Sequence, residues 1–307
     1  MREFKIDFNK ALKPILIVYI ALFIVGTVMA VIWGVNLDIN FSGGTKISYS
    51  YTGDIADKDI TAIIDKQIDK NYSLSKSTAL AGDTKTFEIA LTGKNALSAE
   101  KQEALSKALT EKFKDNKITL YNSNSVSPTI AGTFFLKSIV AVLITAILVV
   151  IYVGIRFKRI GGVSAALTAL AALVFDILVT FFICVIFRLQ IDSNYIAVVL
   201  TILGYSLNDT IVIYDRIREN RKFNPDMEIG DLVNISVNKV MIRNIITTVT
   251  TILAILTIVV VSELFGLTSL RTFAIPMAFG LLSGAVSSLF ISGPLWVIWK
   301  RYKAKKK

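Results

Sequence analysis

Six runs of apolar residues, each long enough to cross the roughly 30 Å hydrocarbon core of a bilayer as a helix, constrain this chain more than any other feature. They are Ile15 to Gly34, Phe134 to Ile155, Val163 to Phe187, Asn194 to Ile213, Ile245 to Val261 and Phe273 to Trp299. Composition points the same way: 53% of the 307 residues are hydrophobic and mean hydropathy is +0.61, values of a membrane protein rather than of a soluble core. The spacing therefore predicts a six-span helical bundle. A segment at 1–14 precedes span 1 at 15–35, an extramembrane domain occupies 36–133, five further spans occupy 134–299, and 300–307 is a basic tail. The first run exceeds the 7 to 15 residues usual for a signal-peptide core, so it is read as a retained anchor.

Orientation follows from the short flanks. One side of the predicted bundle carries nineteen Lys and Arg, the other only Lys137, Arg188 and Arg271 near span ends. By the positive-inside rule both termini are cytoplasmic and the 36–133 domain is extracytoplasmic. The net charge of +11 then lies where anionic membrane lipid attracts it, and no nucleic acid is needed to explain it. Cys184 is the single cysteine, and the chain contains no His, so imidazole metal sites and His-based catalysis are excluded. No GxxxxGK[ST] run occurs, so ATP hydrolysis has no recognisable seat. No enzyme activity, cofactor or metal is implied.

The domain between the first two spans holds 12 Lys and 12 Asp plus Glu and is neutral. Ile47, Tyr49 and Tyr51 alternate as in a half-buried strand. Ile60, Ile63, Ile64 and Ile68 mark a helix face. Strands are expected around Ser75 to Leu80 and Thr86 to Thr92, with "AGDT" as the turn between them. Leu105, Ala108, Leu109 and Phe113 form a second helical stripe with Ser98 as its N-cap, and "KITLYNSNSV" closes as a strand. The order βαββαβ is that of the α+β ferredoxin-like unit, which by itself implies no function. No paired carboxylates or activated nucleophile stand out, so a docking or moving part is expected.

Within the spans, ionisable groups are informative, because an Asp near a helix centre costs about 2.5–3.5 kcal/mol on insertion scales. Asp176 lies midway along the third run and Asp209 close to the end of the fourth. Thr201, Tyr205, Asn208 and Asp209 recur at helical spacing as one polar stripe, and Arg243, Thr247, Thr250 and Thr251 form a matching stripe at the start of the fifth run. Threonines alone are a weak sign, since their hydroxyls can return to carbonyls of their own helix. Arg243 and Asp209 fall near the same ends of consecutive spans. Low dielectric favours a protonated carboxyl and a nearby guanidinium favours an ionised one, so such a pair is suited to loading and releasing a proton. Asp209, Arg243, Asn208, Thr247 and Thr251 are the candidate relay, and Asp176 is a second candidate carboxylate.

"GYSLNDTIVIYDRIREN", followed by "SVNKVMIRNIITTVTTILAIL", resembles the most specific run of the SecF family, subunits of the bacterial SecDF protein-export complex. "DINFSGGT", with Asp38, Phe41, Gly43 and Gly44, resembles the family's motif after span 1, and "AIPMAFGLLSGAVSSLFISGPLW" its last span. The resemblance covers essentially the whole chain. It implies half of a permease of the RND type, located in a bacterial or archaeal cytoplasmic membrane and paired with SecD. It further implies ion influx that helps the SecYEG channel complete export of a translocating polypeptide, with Asp209 and Arg243 as relay residues. Phe175 stands where the family often has His before the carboxylate of the third span, which separates Asp176 from any His-assisted relay and ranks it below Asp209. Gly280 and Gly284 form a GxxxG that predicts a close helix contact, internal or with SecD. Pro276 predicts a kink in the last span or its outer start. Two other readings stay open: half of an RND-type small-molecule exporter, or a passive assembly subunit. Proton and sodium coupling are both compatible with carboxylate, Asn and Thr oxygens.

Overall fold

The computed structural model describes residues 6–68, 72–78, 84–93 and 97–306. Helix α1 (Phe8–Trp33) starts under an Asp7 cap and runs out to Gly34. A single-turn helix α2 (Ile39–Ser42), capped by Asp38, leads into the inserted domain. Its elements are β1 (Gly44–Thr52), α3 (Asp57–Gln67), β2 (Ser73–Thr78), β3 (Thr84–Thr92), α4 (Ala99–Lys112) and β4 (Thr119–Val126). The chain then re-enters the bundle with α5 (Pro128–Arg156), α6 (Gly162–Ile186), α7 (Ser193–Phe223) and α8 (Ile229–Phe265). It finishes with α9 (Thr268–Ser287), which passes through a π-helical turn at Ser288–Ser292 into α10 (Gly293–Lys305).

The domain is an antiparallel sheet in the order β2-β3-β1-β4, the ferredoxin-like arrangement. Alternation along β1 buries Ile47, Tyr49 and Tyr51, which meet Phe87, Ile89 and Leu91 of β3 and the Ile60, Ile64, Leu105 and Leu109 stripes of the two helices. Tyr49 stacks on Phe87 with ring centroids 5.1 Å apart, and Ser98 caps α4 by accepting from the Lys101 amide. Of the expected "AGDT" turn, residues 81–83 lie outside the described residues.

Among the described residues, six helical units are long and apolar enough to cross a membrane. Helices α6 and α7 and the α9–α10 unit bury roughly half or more of their apolar windows, whereas α1, α5 and α8 bury fewer than one residue in five. The first three are therefore the centre of the bundle. Several helices outrun their apolar stretches: α7 continues ten residues past Ile213, and α8 begins sixteen residues before Ile245. Hydropathy marks what contacts lipid, not where the helix ends, and the added turns carry the charged faces of an amphipathic helix in water. Pro276 lies inside α9, eight residues after its first residue, so it does not mark the start of that span. Gly280 and Gly284 face inward. A Cβ on Gly280 would collide with Ile202 of α7 and Thr180 of α6, and one on Gly284 would come within 2.9 Å of the Ser206 Cβ. The small-residue face thus serves close approach of α9 to its own chain.

Candidate functional site

Two polar regions depart from what an apolar bundle requires. The first is inside it. Asp176 of α6 is fully buried and accepts three hydroxyl hydrogen bonds, from Ser283 at 2.6 Å, Ser206 at 2.7 Å and Ser287 at 2.9 Å. The Tyr19 hydroxyl of α1 lies 3.0 Å from the Ser283 Oγ, so one carboxylate ties α1, α6, α7 and α9 together. Phe175 points instead into an aromatic cluster, edge-on to Tyr19 at 5.4 Å and stacked on Phe23 at 5.8 Å.

One turn after Ser206, Asp209 is only 3% exposed, and among the described residues its Oδ2 has no hydrogen-bond partner. Within about two turns of it, Thr210 Oγ1 on α7 and Asn244 Nδ2 and Thr248 Oγ1 on α8 share that condition. The register of these two antiparallel helices is pinned by Tyr205 against Thr251 at 3.1 Å and by Asn220 donating to Ser236 at 2.8 Å. By that register Thr248 and Asn244 fall within about a turn of Asp209. By the same register Arg243 falls about one turn from the level of Asp209, yet among the described residues it forms no ion pair. A cavity of about 530 Å³, lined by Asp215, Arg216, Lys239 and Arg243, opens beside it on the side of the chain termini.

The two sequence stripes divide. Asp209 turns inward, whereas Thr201, Asn208, Arg243, Thr247 and Thr250 are exposed and Tyr205 and Thr251 half-buried. Thr247, Thr250 and Thr251 all donate to carbonyls of their own helix, at 2.8–3.0 Å. The inner residues Ser206, Thr210, Asn244 and Thr248 were not singled out by the stripes. Asn244 and Thr248, at i and i+4 beside the Arg243 stripe, are the sequence sign that locates them.

The second region joins domain and bundle. Asn36 to Asp38 and Gln190 to Asp192 run as a short parallel bridge, with the Asp38 amide donating to the Ile191 carbonyl at 3.0 Å and the Ile191 amide to the Asn36 carbonyl at 2.8 Å. Lys46 of β1 reaches across, 2.9 Å from Glu88 and 3.6 Å from Asp38, and donates to Gln190 at 3.5 Å. Burial works against the Lys46 charge, but Glu88 and Asp38 outweigh it and hold the ammonium pKa above its usual value. Phe41 packs on Phe134 and Phe135 of α5, and Gly43 and Gly44 take φ of 75° and 130° where the chain turns into β1.

Fold and site together define a polytopic helical membrane protein, with a ferredoxin-like domain inserted after its first span and carboxylates inside its bundle. Comparison with known proteins narrows this class. The profile of the family described as protein export membrane protein SecD/SecF, C-terminal, matches residues 105–302. SecF of Petrotoga mobilis is 33% identical over 313 residues, which cover 98% of this chain and 99% of that protein. SecDF of Bacillus subtilis is 33% identical over 311 residues, 98% of this chain but 39% of that protein. The crystal structure of SecDF from Thermus superposes with a TM-score of 0.81 at 26% identity, over 97% of this chain and 39% of that one. The chain thus spans about two fifths of the SecDF proteins it matches and nearly all of this SecF relative. It belongs to the SecF branch of the SecD/SecF family of protein export membrane proteins.

Proposed function

We propose that this chain acts with a SecD half to couple inward flow of protons or sodium to the completion of polypeptide export through SecYEG, with both termini cytoplasmic. The observation that carries the reading is Asp209. Among the described residues its buried Oδ2 is unpaired, and Arg243, about one turn away by the register of α7 and α8, forms no ion pair. A carboxylate locked in an ion pair has no vacancy for an ion, whereas this one can take up a proton and release it when the guanidinium approaches. The exposed polar stripe of α7 and α8 supports a protein partner there, because polar groups facing hydrocarbon are costly. One charge moving through 100 mV supplies about 2.3 kcal/mol, comparable to the 1–3 kcal/mol of typical coupling between sites. The parallel bridge and the Lys46 contacts are the route by which a change in the bundle reaches the domain.

The test is Asp209→Asn at matched protein level in cells, with secretion of exported proteins as the readout. Export falls to near the level of a deletion strain if Asp209 is the relay. Normal secretion in Asp209→Asn and Arg243→Ala, alongside a secretion defect in the deletion, assigns a passive assembly role. Loss of drug resistance without loss of secretion assigns a small-molecule exporter.

A further inference from the structure

On the side of the termini, three stretches of chain converge on a cavity of about 710 Å³. Arg156 comes from the end of α5, Lys158 and Arg159 from the loop after it, and Arg218, Arg221 and Lys222 from the part of α7 beyond its apolar run. One acidic residue, Glu219, shares the lining, and it is occupied by Arg216 at 2.5 Å. Asp215 takes both Arg156, at 3.2 Å, and Arg218, at 2.8 Å. Arg221 donates to the Met227 carbonyl at 2.7 Å, which holds the side chain in place, and among the described residues it has no ion-pair partner. Among the described residues Lys158, Arg159 and Lys222 have no ion-pair partner. The Arg156 and Arg218 guanidiniums lie 5.8 and 6.0 Å from the Phe157 ring centroid, so an aromatic plate and one shared aspartate fix the two forks in advance.

Charge scattered by the positive-inside rule would not explain a walled cavity of this kind. Its depth is equally informative. Ile155, 61% exposed, lines the opening, and Tyr152, 50% exposed, lies one turn deeper on α5, the place of an interfacial aromatic. The cavity therefore sits where α5 leaves the hydrocarbon, with cations above and an apolar wall below. We infer that it is a binding site for an anionic glycerophospholipid, with the phosphate head group held by Arg159, Lys158 and Lys222 and the acyl chains lying along Ile155 and Tyr152. Basic pockets between membrane helices take such head groups, and the apolar wall favours a lipid over free phosphate.

The test is native mass spectrometry of the full chain released from micelles containing cardiolipin, with phosphatidylcholine as the neutral control. The native protein retains one cardiolipin selectively. Lys158→Gln/Arg159→Gln/Lys222→Gln weakens its retention at least tenfold, while Lys303→Gln/Lys305→Gln/Lys306→Gln, which removes the same charge from the tail, changes it less than twofold. Equal losses in the two triple variants overturn the inference, as does displacement of the lipid by millimolar inorganic phosphate. Should the first variant not fold, a diazirine-bearing cardiolipin on the unmodified protein decides: labelling across residues 151–160 supports the site, and labelling confined to 300–306 overturns it.

Discussion

Gly44 is where the route from membrane to domain has least tolerance, and its replacement by alanine gives a sharp expectation. The residue opens β1, pairing with Thr92 on one side and Val126 on the other. Its φ of 130° lies where L side chains are strained, at about 1–3 kcal/mol. A Cβ there would also overlap the Leu91 carbonyl oxygen of β3 and come 2.9 Å from its carbonyl carbon. Backbone in a paired strand cannot step aside, so overpacking adds about 1–3 kcal/mol, for a total of about 2–6 kcal/mol. Gly93→Ala is the control: φ is 83° but no described residue lies within 4 Å of where its Cβ would be, so the strain of about 1–3 kcal/mol applies without the collision. Hydrogen exchange of the β1 and β3 amides in the full chain reads the difference. The two variants differ by the overpacking of about 1–3 kcal/mol, and with each 1.4 kcal/mol worth a factor of ten those amides should exchange about five- to a hundredfold faster in Gly44→Ala than in Gly93→Ala. Equal exchange in the two variants would refute the collision argument and detach the Gly-Gly step from domain stability.

Lys46→Met leaves Asp38, whose side chain is 5% exposed, without its cation, and should loosen the joint by about 1–3 kcal/mol, discounted for partial solvent access, as faster exchange at Asp38 and Ile191. Because the folded Lys46 pKa is raised, this contact is at full strength below the unfolded lysine pKa of about 10.4 and fades as pH rises through the higher folded value. Protection of the joint should therefore fall on the alkaline side in the native protein and show no such step in Lys46→Met. A double-mutant cycle of Tyr205→Phe with Thr251→Val should give a coupling of about 0.6 kcal/mol, the usual size for hydrogen bonds between membrane helices; zero coupling would remove that register pin. Asp176→Ala deprives buried serines of their acceptor and leaves a cavity, costing about 2–4 kcal/mol in detergent unfolding. Asp176→Asn, which keeps one acceptor oxygen, should cost less than half as much.

The sequence made the architecture legible because its two periodicities are local. Apolar runs of bilayer length gave the spans, and alternation along Ile47, Tyr49 and Tyr51 followed by helical stripes gave the inserted domain. Helix ends were less legible, since residues 214–223 and 229–244 remain helical in water where hydropathy has nothing to register. The Asp176 network was hidden for a different reason. Its donors lie 30, 107 and 111 residues away in sequence, on helices whose packing no local spacing encodes. Asp209 was legible as a carboxylate in an apolar run, but not its surroundings. The stripes through Arg243 and Thr247 follow the outer face of α8, whereas Asn244 and Thr248, one position later, line the inner one. The GxxxG predicted a close contact without naming the partner, which the fold supplies in Ile202 and Ser206 of the same chain.

The proposal that Asp209 changes protonation is tested most directly by infrared difference titration of the chain reconstituted with its SecD half, using Asp209→Asn as the blank. A carboxyl C=O band should grow as pH falls in the native protein and be missing from the variant. Identical difference spectra for the two proteins, with the carboxylate ionised throughout, would contradict it.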